Sequence, residues 1–157
     1  MKTSSSVRLA AMATLCAHLI GTAHAESATY AGIMETYPVK RVMALGNGDS
    51  VVSGTADGVA SIVATTGGMP MLLSVLCTGL GLIGDTDLEH LEFYCSFSAD
   101  DANSFAVHGR EDPSGATAQV IGGSGRWKDA AGSATFERVS LTDHSAQTNF
   151  TLDISSP

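Results

Sequence analysis

The chain predicts an all-β protein, an antiparallel barrel or sandwich of eight or nine strands, on three observations. No long stretch after residue 25 carries helical periodicity. Short runs rich in Val, Thr, Ile and aromatic residues instead alternate with clusters of Gly, Pro, Asp and Asn, the pattern of many short strands joined by tight turns. The stretch Ala118-Gln-Val-Ile-Gly-Gly-Ser-Gly-Arg-Trp-Lys-Asp-Ala-Ala-Gly-Ser-Ala-Thr-Phe-Glu137 reads as strand, glycine-rich corner, compact turn, strand.

The first 25 residues stand apart from that domain. Lys2 and Arg8 give a positive start, residues 9–20 form an apolar run, and Gly21-Thr-Ala-His-Ala25 ends in a small-x-small site. That order predicts a secretory signal peptide at 1–25 and one β-barrel domain at 26–157. Cys16 lies in the apolar run without a lipobox setting. The domain is 132 residues, enough for a core of its own. No later run is long enough to span a bilayer, because Gly79 and Gly81 break the apolar stretch at 72–83. The expectation is an exported protein, periplasmic or extracellular, with no membrane insertion after the leader is removed. Losing Lys2 and Arg8 leaves six basic against sixteen acidic residues, a net of −10. Such a surface repels nucleic-acid phosphates, so no nucleic-acid partner is expected.

Strands are predicted over residues 29–37, 40–45, 50–55, 59–65, 72–83, 88–98, 104–111, 116–121, 132–141 and 147–154. The breaks between them are turn chemistry: Gly46-Asn-Gly-Asp49, Ala56-Asp-Gly58, Gly67-Gly-Met-Pro70, Gly84-Asp85, Ala99-Asp-Asp-Ala102, Asp112-Pro-Ser-Gly115 and Gly122-Gly-Ser-Gly125. Ala56-Asp-Gly58 is short enough to be a bulge that merges two runs, which sets the count at eight or nine.

Two runs are distinctive. Residues 72–83 are apolar on both parities, whereas a strand of a solvated sheet alternates. This strand is therefore expected to be covered within by the lumen and without by a subunit or a terminal segment. Residues 88–98 do alternate, with Leu91, Phe93, Cys95 and Phe97 on one face and His90, Glu92, Tyr94 and Ser96 on the other. The next strand repeats the split, with Phe105 and Val107 against His108 and Arg110. If 72–83 and 88–97 form a hairpin centred on Thr86, Cys77 falls opposite Cys95. An even pair of cysteines in an exported domain favours a disulfide between them.

The corner at Gly122-Gly-Ser-Gly-Arg-Trp127, followed by Gly132-Ser-Ala-Thr-Phe136, resembles the allene oxide cyclase and dirigent barrel superfamily. The strong likeness covers about 15 residues, and the strand rhythm extends it weakly over the rest of the domain. The glycines suit a sharp corner whose backbone takes positive φ, and Trp127 is expected to plug the barrel end. The resemblance implies an eight-stranded antiparallel β-barrel with an apolar lumen, often trimeric, acting on hydrophobic or phenolic small molecules. Some members cyclise or isomerise without a cofactor. Dirigent members steer radical coupling without performing the oxidation. Ligand-binding residues of the plant proteins find no position-by-position match here.

The candidate catalytic set is Glu92, His108, Tyr94, His90 and Arg110, which share one face of adjacent strands. Were that face the lumen, register would place Glu92 opposite Leu80, Tyr94 opposite Thr78 and His90 opposite Leu82. A carboxylate and imidazoles among leucines would move protons, and Tyr94 and Arg110 would polarise a substrate oxygen. Leu76, Thr78, Leu80 and Trp127 would then contact the ligand. The competing reading puts Leu91, Phe93 and Phe97 in the lumen and the polar set in solvent, which is what alternation normally means. Glu35 and Tyr37 are weaker candidates at a barrel mouth. Asp100-Asp101 with Asn103 looks like a calcium-loop fragment without EF-hand spacing, and Asn149-Phe-Thr151 is a glycosylation sequon by pattern. No cofactor and no metal site are expected.

The reading is thus an exported small β-barrel acting on a hydrophobic or phenolic small molecule in its lumen, as a cofactor-independent cyclase, isomerase or lyase. One alternative is a non-catalytic binding or dirigent-type steering protein, and a second is a structural barrel acting through its oligomer surface. The expected partners are the small molecule and further copies of the chain in a homo-oligomer such as a trimer. An open lumen holding Glu92 or His108 favours the first reading, an apolar lumen the second, a lumen packed shut the third.

Overall fold

The computed structural model describes residues 26–46, 48–84, 88–142 and 144–156. The leader at 1–25 and Thr86, the centre of the expected hairpin, lie outside the described residues. Eight strands follow in order: β1 (Glu26–Ala44), β2 (Ser50–Ala64), β3 (Met71–Ile83), β4 (Leu88–Ser98), β5 (Ser104–Asp112), β6 (Gly115–Ser124), β7 (Ala131–Leu141) and β8 (Ala146–Ser156). Each pairs antiparallel with the next, and β8 returns to β1, closing the sheet into a barrel.

Two expected breaks are absent, which is why ten runs become eight strands. The runs at 29–37 and 40–45 are one strand, because Pro38 lies beyond the last rung of the β1–β8 ladder at Thr36↔Ala146. There β1 has only β2 beside it, so the missing N–H costs no second ladder bond. The runs at 50–55 and 59–65 also merge, as the bulge alternative allowed. Gly58 sits opposite Thr36 where a Cβ would lie 2.8 Å from the Thr36 Cα and collide with the Glu35 carbonyl. It marks a close approach of two backbones rather than a turn.

The β3–β4 register is the one expected, with Cys77↔Cys95, Thr78↔Tyr94, Leu80↔Glu92 and Leu82↔His90. Cys77 and Cys95 form a disulfide with their Cα atoms 4.1 Å apart, the spacing of a directly opposed, non-hydrogen-bonded pair.

Strand parity decides what fills the barrel. Leu73 and Val75 of β3, Cys95 and Phe97 of β4, and Phe105 and Val107 of β5 are buried inside. The lumen is solid at one end. Phe97 stacks on Phe105 at 4.9 Å and 9°, and it meets Phe150 at 5.8 Å. Trp127 closes this end edge-on to Phe105, at 5.0 Å and 72°. At the other end the inward positions are short, among them Ala56, Cys77, Ala116 and Thr148, and the lumen opens.

The glycine corner is a structural device. Gly122, Gly125 and Gly132 all have positive φ, and Gly125–Trp127 make a 3-10 turn that lowers Trp127 onto the core. The corner is tied to the β4–β5 loop, where the Asn103 Oδ1 accepts the Arg126 N–H at 2.9 Å and the Ser124 hydroxyl donates to the Ala102 carbonyl at 2.8 Å. Gly125, at φ 57°, leaves no room for a Cβ beside Asn103 and the Ala102 carbonyl. Gly125→Ala is therefore expected to destabilise the protein by about 2–3 kcal/mol, combining left-handed backbone cost with steric conflict. Urea denaturation followed by Trp127 emission measures it, and a midpoint equal to wild type would contradict this account.

Candidate functional site

The open half of the lumen is a cavity of about 860 Å³. Its apolar wall is Leu88, Leu91 and Phe93 of β4, Met34 and Pro38 of β1, Phe136 of β7 and the Cys77–Cys95 disulfide. Phe93 and Phe136, edge to face at 5.7 Å, form part of its lining above the aromatic plug. The volume falls in the range of small-molecule sites.

Polar groups gather on the opposite side. Arg138 of β7 reaches Glu111 of β5, with its Nη2 2.7 Å from the Glu111 Oε1 and 2.8 Å from the Oε2. The pair bridges β6 at the small residue Ala116, which lies beside both Glu111 and Phe136. Thr148 of β8 is the cross-strand partner of both Arg138 and Met34, and Thr36 of β1 lies one diagonal away. Thr36 and Thr148 are only 6% and 8% exposed. They line the cavity, and neither hydroxyl has a hydrogen-bond partner among the described residues. Their hydroxyls are free to bond with whatever enters the cavity. Asp112 forms the lip. Its carboxylate accepts the Ser114 hydroxyl and the Ser114 N–H, which together hold it below the ordinary aspartate range, the hydroxyl most strongly.

Of the two readings of the polar face, the structure has the solvated one, and the lumen placement does not hold. Glu92, Tyr94 and Arg110 are exposed on the outer wall, and His90 and His108 lie half-buried there. Inside, the same strands place Leu91, Phe93, Cys95, Phe105 and Val107. The physical reason is alternation: one side of β4 and β5 is apolar throughout, and closure turns that side inward. The five residues are still neighbours. Tyr94 stacks on His108 at 4.3 Å and 12°, and Glu92 is the register partner of Arg110. The expected ligand contacts move with them. Leu76, Thr78 and Leu80 project outward from β3, and Trp127 sits in the sealed end, away from the cavity. Trp127 does plug the barrel as expected.

Glu35 and Tyr37 are outward too, and the Glu35 charge raises the Tyr37 phenol, helped by burial and by Asp57. Asp100 is a turn residue. Its carboxylate accepts the Asn103 amide and the Ala102 and Asn103 N–H groups, which hold it below the usual aspartate value, the Asn103 side chain contributing most. Among the described residues no three His, Cys, Asp or Glu side chains converge as a metal set would. Asn149 and Thr151 of the sequon are both exposed on β8.

Sequence reasoning missed Thr36, Thr148, Glu111 and Arg138. The signal was parity, since Glu111 is in phase with Phe105 and Val107, and Arg138 with Phe136.

A solved structure of similar shape is that of the pterocarpan synthase dirigent protein GePTS1, with TM-score 0.50 and 13% identity, covering 83% of this chain and 90% of that one. The fold is that of the dirigent barrels. A second, PsPTS1, also a pterocarpan synthase dirigent protein, aligns with TM-score 0.45 and 14% identity over 82% of this chain and 94% of its own. No protein-family profile matches the chain, and no curated protein matches it. The resemblance first carried by the glycine corner therefore extends along most of the dirigent barrel at the level of fold.

Proposed function

We propose that the barrel is an exported container that binds a hydrophobic or phenolic small molecule in the open half of its lumen and holds it in one orientation, in the manner of a dirigent steering protein. The observation that carries this is the one-ended cavity with two unpartnered threonine hydroxyls facing an aromatic and aliphatic wall. Such a wall favours the ring or chain of an amphipathic ligand, and Thr36, Thr148 and Arg138 meet its oxygen atoms. Steering needs no proton transfer from the protein, so it fits a lumen from which Glu92 and His108 are absent. The cyclase or isomerase reading retains one candidate acid–base group, Glu111, with Arg138 bound to it. Export rests on the leader and on the disulfide, which persists in oxidising compartments.

Displacement of an apolar fluorophore by a panel of simple phenols tests the binding. Thr148→Val keeps the shape and removes one hydroxyl, so affinity is expected to fall roughly three- to tenfold. Ala116→Leu fills the cavity and is expected to abolish fluorophore uptake while the fold persists. A phenol radical generated by an added one-electron oxidant should couple with a stereochemical bias in the presence of the wild-type barrel. Absence of any binding, or binding indifferent to Ala116→Leu, would sink the proposal. Turnover of a ligand without the oxidant, lost in Glu111→Gln, would transfer it to the isomerase reading.

A further inference from the structure

Charge is unevenly shared at the mouth of the cavity. Glu111, Asp112, Glu137 and Arg138 belong to the lining, three carboxylates against one guanidinium. Glu137 is exposed on the outward side of β7, so the other three set the balance facing the lumen. Arg138 is committed, with its Nη2 2.7 Å from the Glu111 Oε1 and 2.8 Å from the Oε2. Asp112 is left as the uncompensated charge. Both Ser114 bonds to it end on Oδ1, and Oδ2 has no hydrogen-bond partner among the described residues. The Ser114 hydroxyl and N–H hold its carboxyl below the usual aspartate range, so it is ionised at neutral pH. Arg110, which also lowers it, is exposed on the outer wall. Lys40 follows Pro38 on the inward side of β1 but is exposed and outside the lining. Below this charged lip, Thr36 and Thr148 share the cavity with Leu91, Phe93 and Phe136, and both threonines are more than nine-tenths buried.

We infer that the ligand of this cavity is a cationic amphiphile, an apolar aryl or alkyl body carrying a protonated amine, seated body inward with its ammonium at the lip beside Glu111 and Asp112. This rests on the reading of the lumen as a container and specifies what it contains. An ammonium at the lip meets the free Asp112 Oδ2 and gains a charge-assisted bond. A carboxylate on the same body meets that negative charge at close range. To take Arg138 it must also displace Glu111, which is then left half-buried and charged without its partner. The six basic and sixteen acidic residues of the domain act in the same direction at longer range, drawing cations toward the protein and repelling anions. A neutral alcohol of the same shape feels neither effect and is the reference.

Three phenols of one skeleton provide the test: tyramine, its alcohol counterpart tyrosol, and 4-hydroxyphenylacetate. Each is titrated against a neutral apolar fluorophore held by protein purified from an exporting host, at neutral pH and low salt. Tyramine is expected to bind roughly tenfold tighter than 4-hydroxyphenylacetate, with tyrosol between them. The preference should shrink toward unity in about 1 M salt, where the screening length is about 3 Å. Asp112→Asn keeps an oxygen for Ser114 and removes the charge, so the preference should fall about threefold. Glu111→Gln frees Arg138 and should reverse the order, with 4-hydroxyphenylacetate ahead of tyramine. Trp127 emission checks that each variant is folded, and either variant serves should the other fail to fold. Tyrosol binding, with 4-hydroxyphenylacetate as tight as tyramine or tighter in the wild type, overturns the inference and leaves the container reading standing. So does a preference for tyramine that both substitutions leave unaltered. If the fluorophore is taken up and none of the three phenols displaces it, the inference alone falls. If the fluorophore itself is not taken up, the container reading falls and this inference with it.

Discussion

Phe97→Ala is expected to destabilise the barrel by about 3–5 kcal/mol, the range for deleting a fully buried aromatic ring. Phe97 is 1% exposed and lies at the centre of the sealed end, stacked on Phe105 and tilted against Phe150. Its partners reach further, because Phe105 supports Trp127 and Phe150 supports Phe136. Removing the ring therefore loosens both the plug and the floor of the cavity. Strands on every side hold the neighbours in place, so the site cannot collapse to fill the void. The loss is a large part of a typical total of 5–15 kcal/mol. Trp127 is the single tryptophan and is 4% exposed, so its emission follows unfolding directly. The urea midpoint should fall steeply, and Phe97→Leu should recover most of it. A loss below about 1 kcal/mol would mean the plug is not a packed unit.

The contrast between Cys77–Cys95 and Glu111–Arg138 marks where the sequence was informative. A single hairpin centre at Thr86 determines the β3–β4 pairs from Ser74↔Ser98 to Leu82↔His90, and that register followed from arithmetic; it shifts only at Ile83↔Leu88. The glycine corner was legible for a similar reason, since only a few backbone shapes need glycine so often in ten residues. Pro38 and Gly58 misled because they break strands in isolation, whereas Pro38 falls where β1 has only β2 beside it and Gly58 where the β1 backbone approaches closely. The site was harder. Arg138 and Glu111 come from strands that are not adjacent, and only the small Ala116 between them lets the side chains meet. Thr36 and Thr148 stand 112 positions apart and become neighbours only because β8 closes on β1. No local pattern encodes that closure. The cluster around His90 and Glu92 drew the eye because polar side chains gathered on neighbouring strands are visible locally. The parity of their apolar neighbours, equally visible, placed them outside.

Replacing both Cys77 and Cys95 by alanine is expected to remove about 3 kcal/mol while leaving the native barrel closed, because the bond acts chiefly on the unfolded chain. The two residues are 18 apart in sequence, and the bond denies the denatured β3–β4 segment the freedom to open. In the native state each of these strands keeps both neighbours, β3 between β2 and β4 and β4 between β3 and β5. The cross-link is therefore not what closes the sheet. Three signatures separate this effect from a packing loss such as Phe97→Ala. The denaturant slope should rise, since the unlinked denatured chain exposes more surface. The thermal midpoint should drop by roughly 10 °C. Fluorophore uptake in the lumen should survive at low denaturant, even though the disulfide forms part of the cavity wall. An unchanged midpoint would show that the hairpin is already held closed in the denatured ensemble. Lost uptake with an unchanged slope would show that the sulfurs shape the cavity instead of restraining the chain.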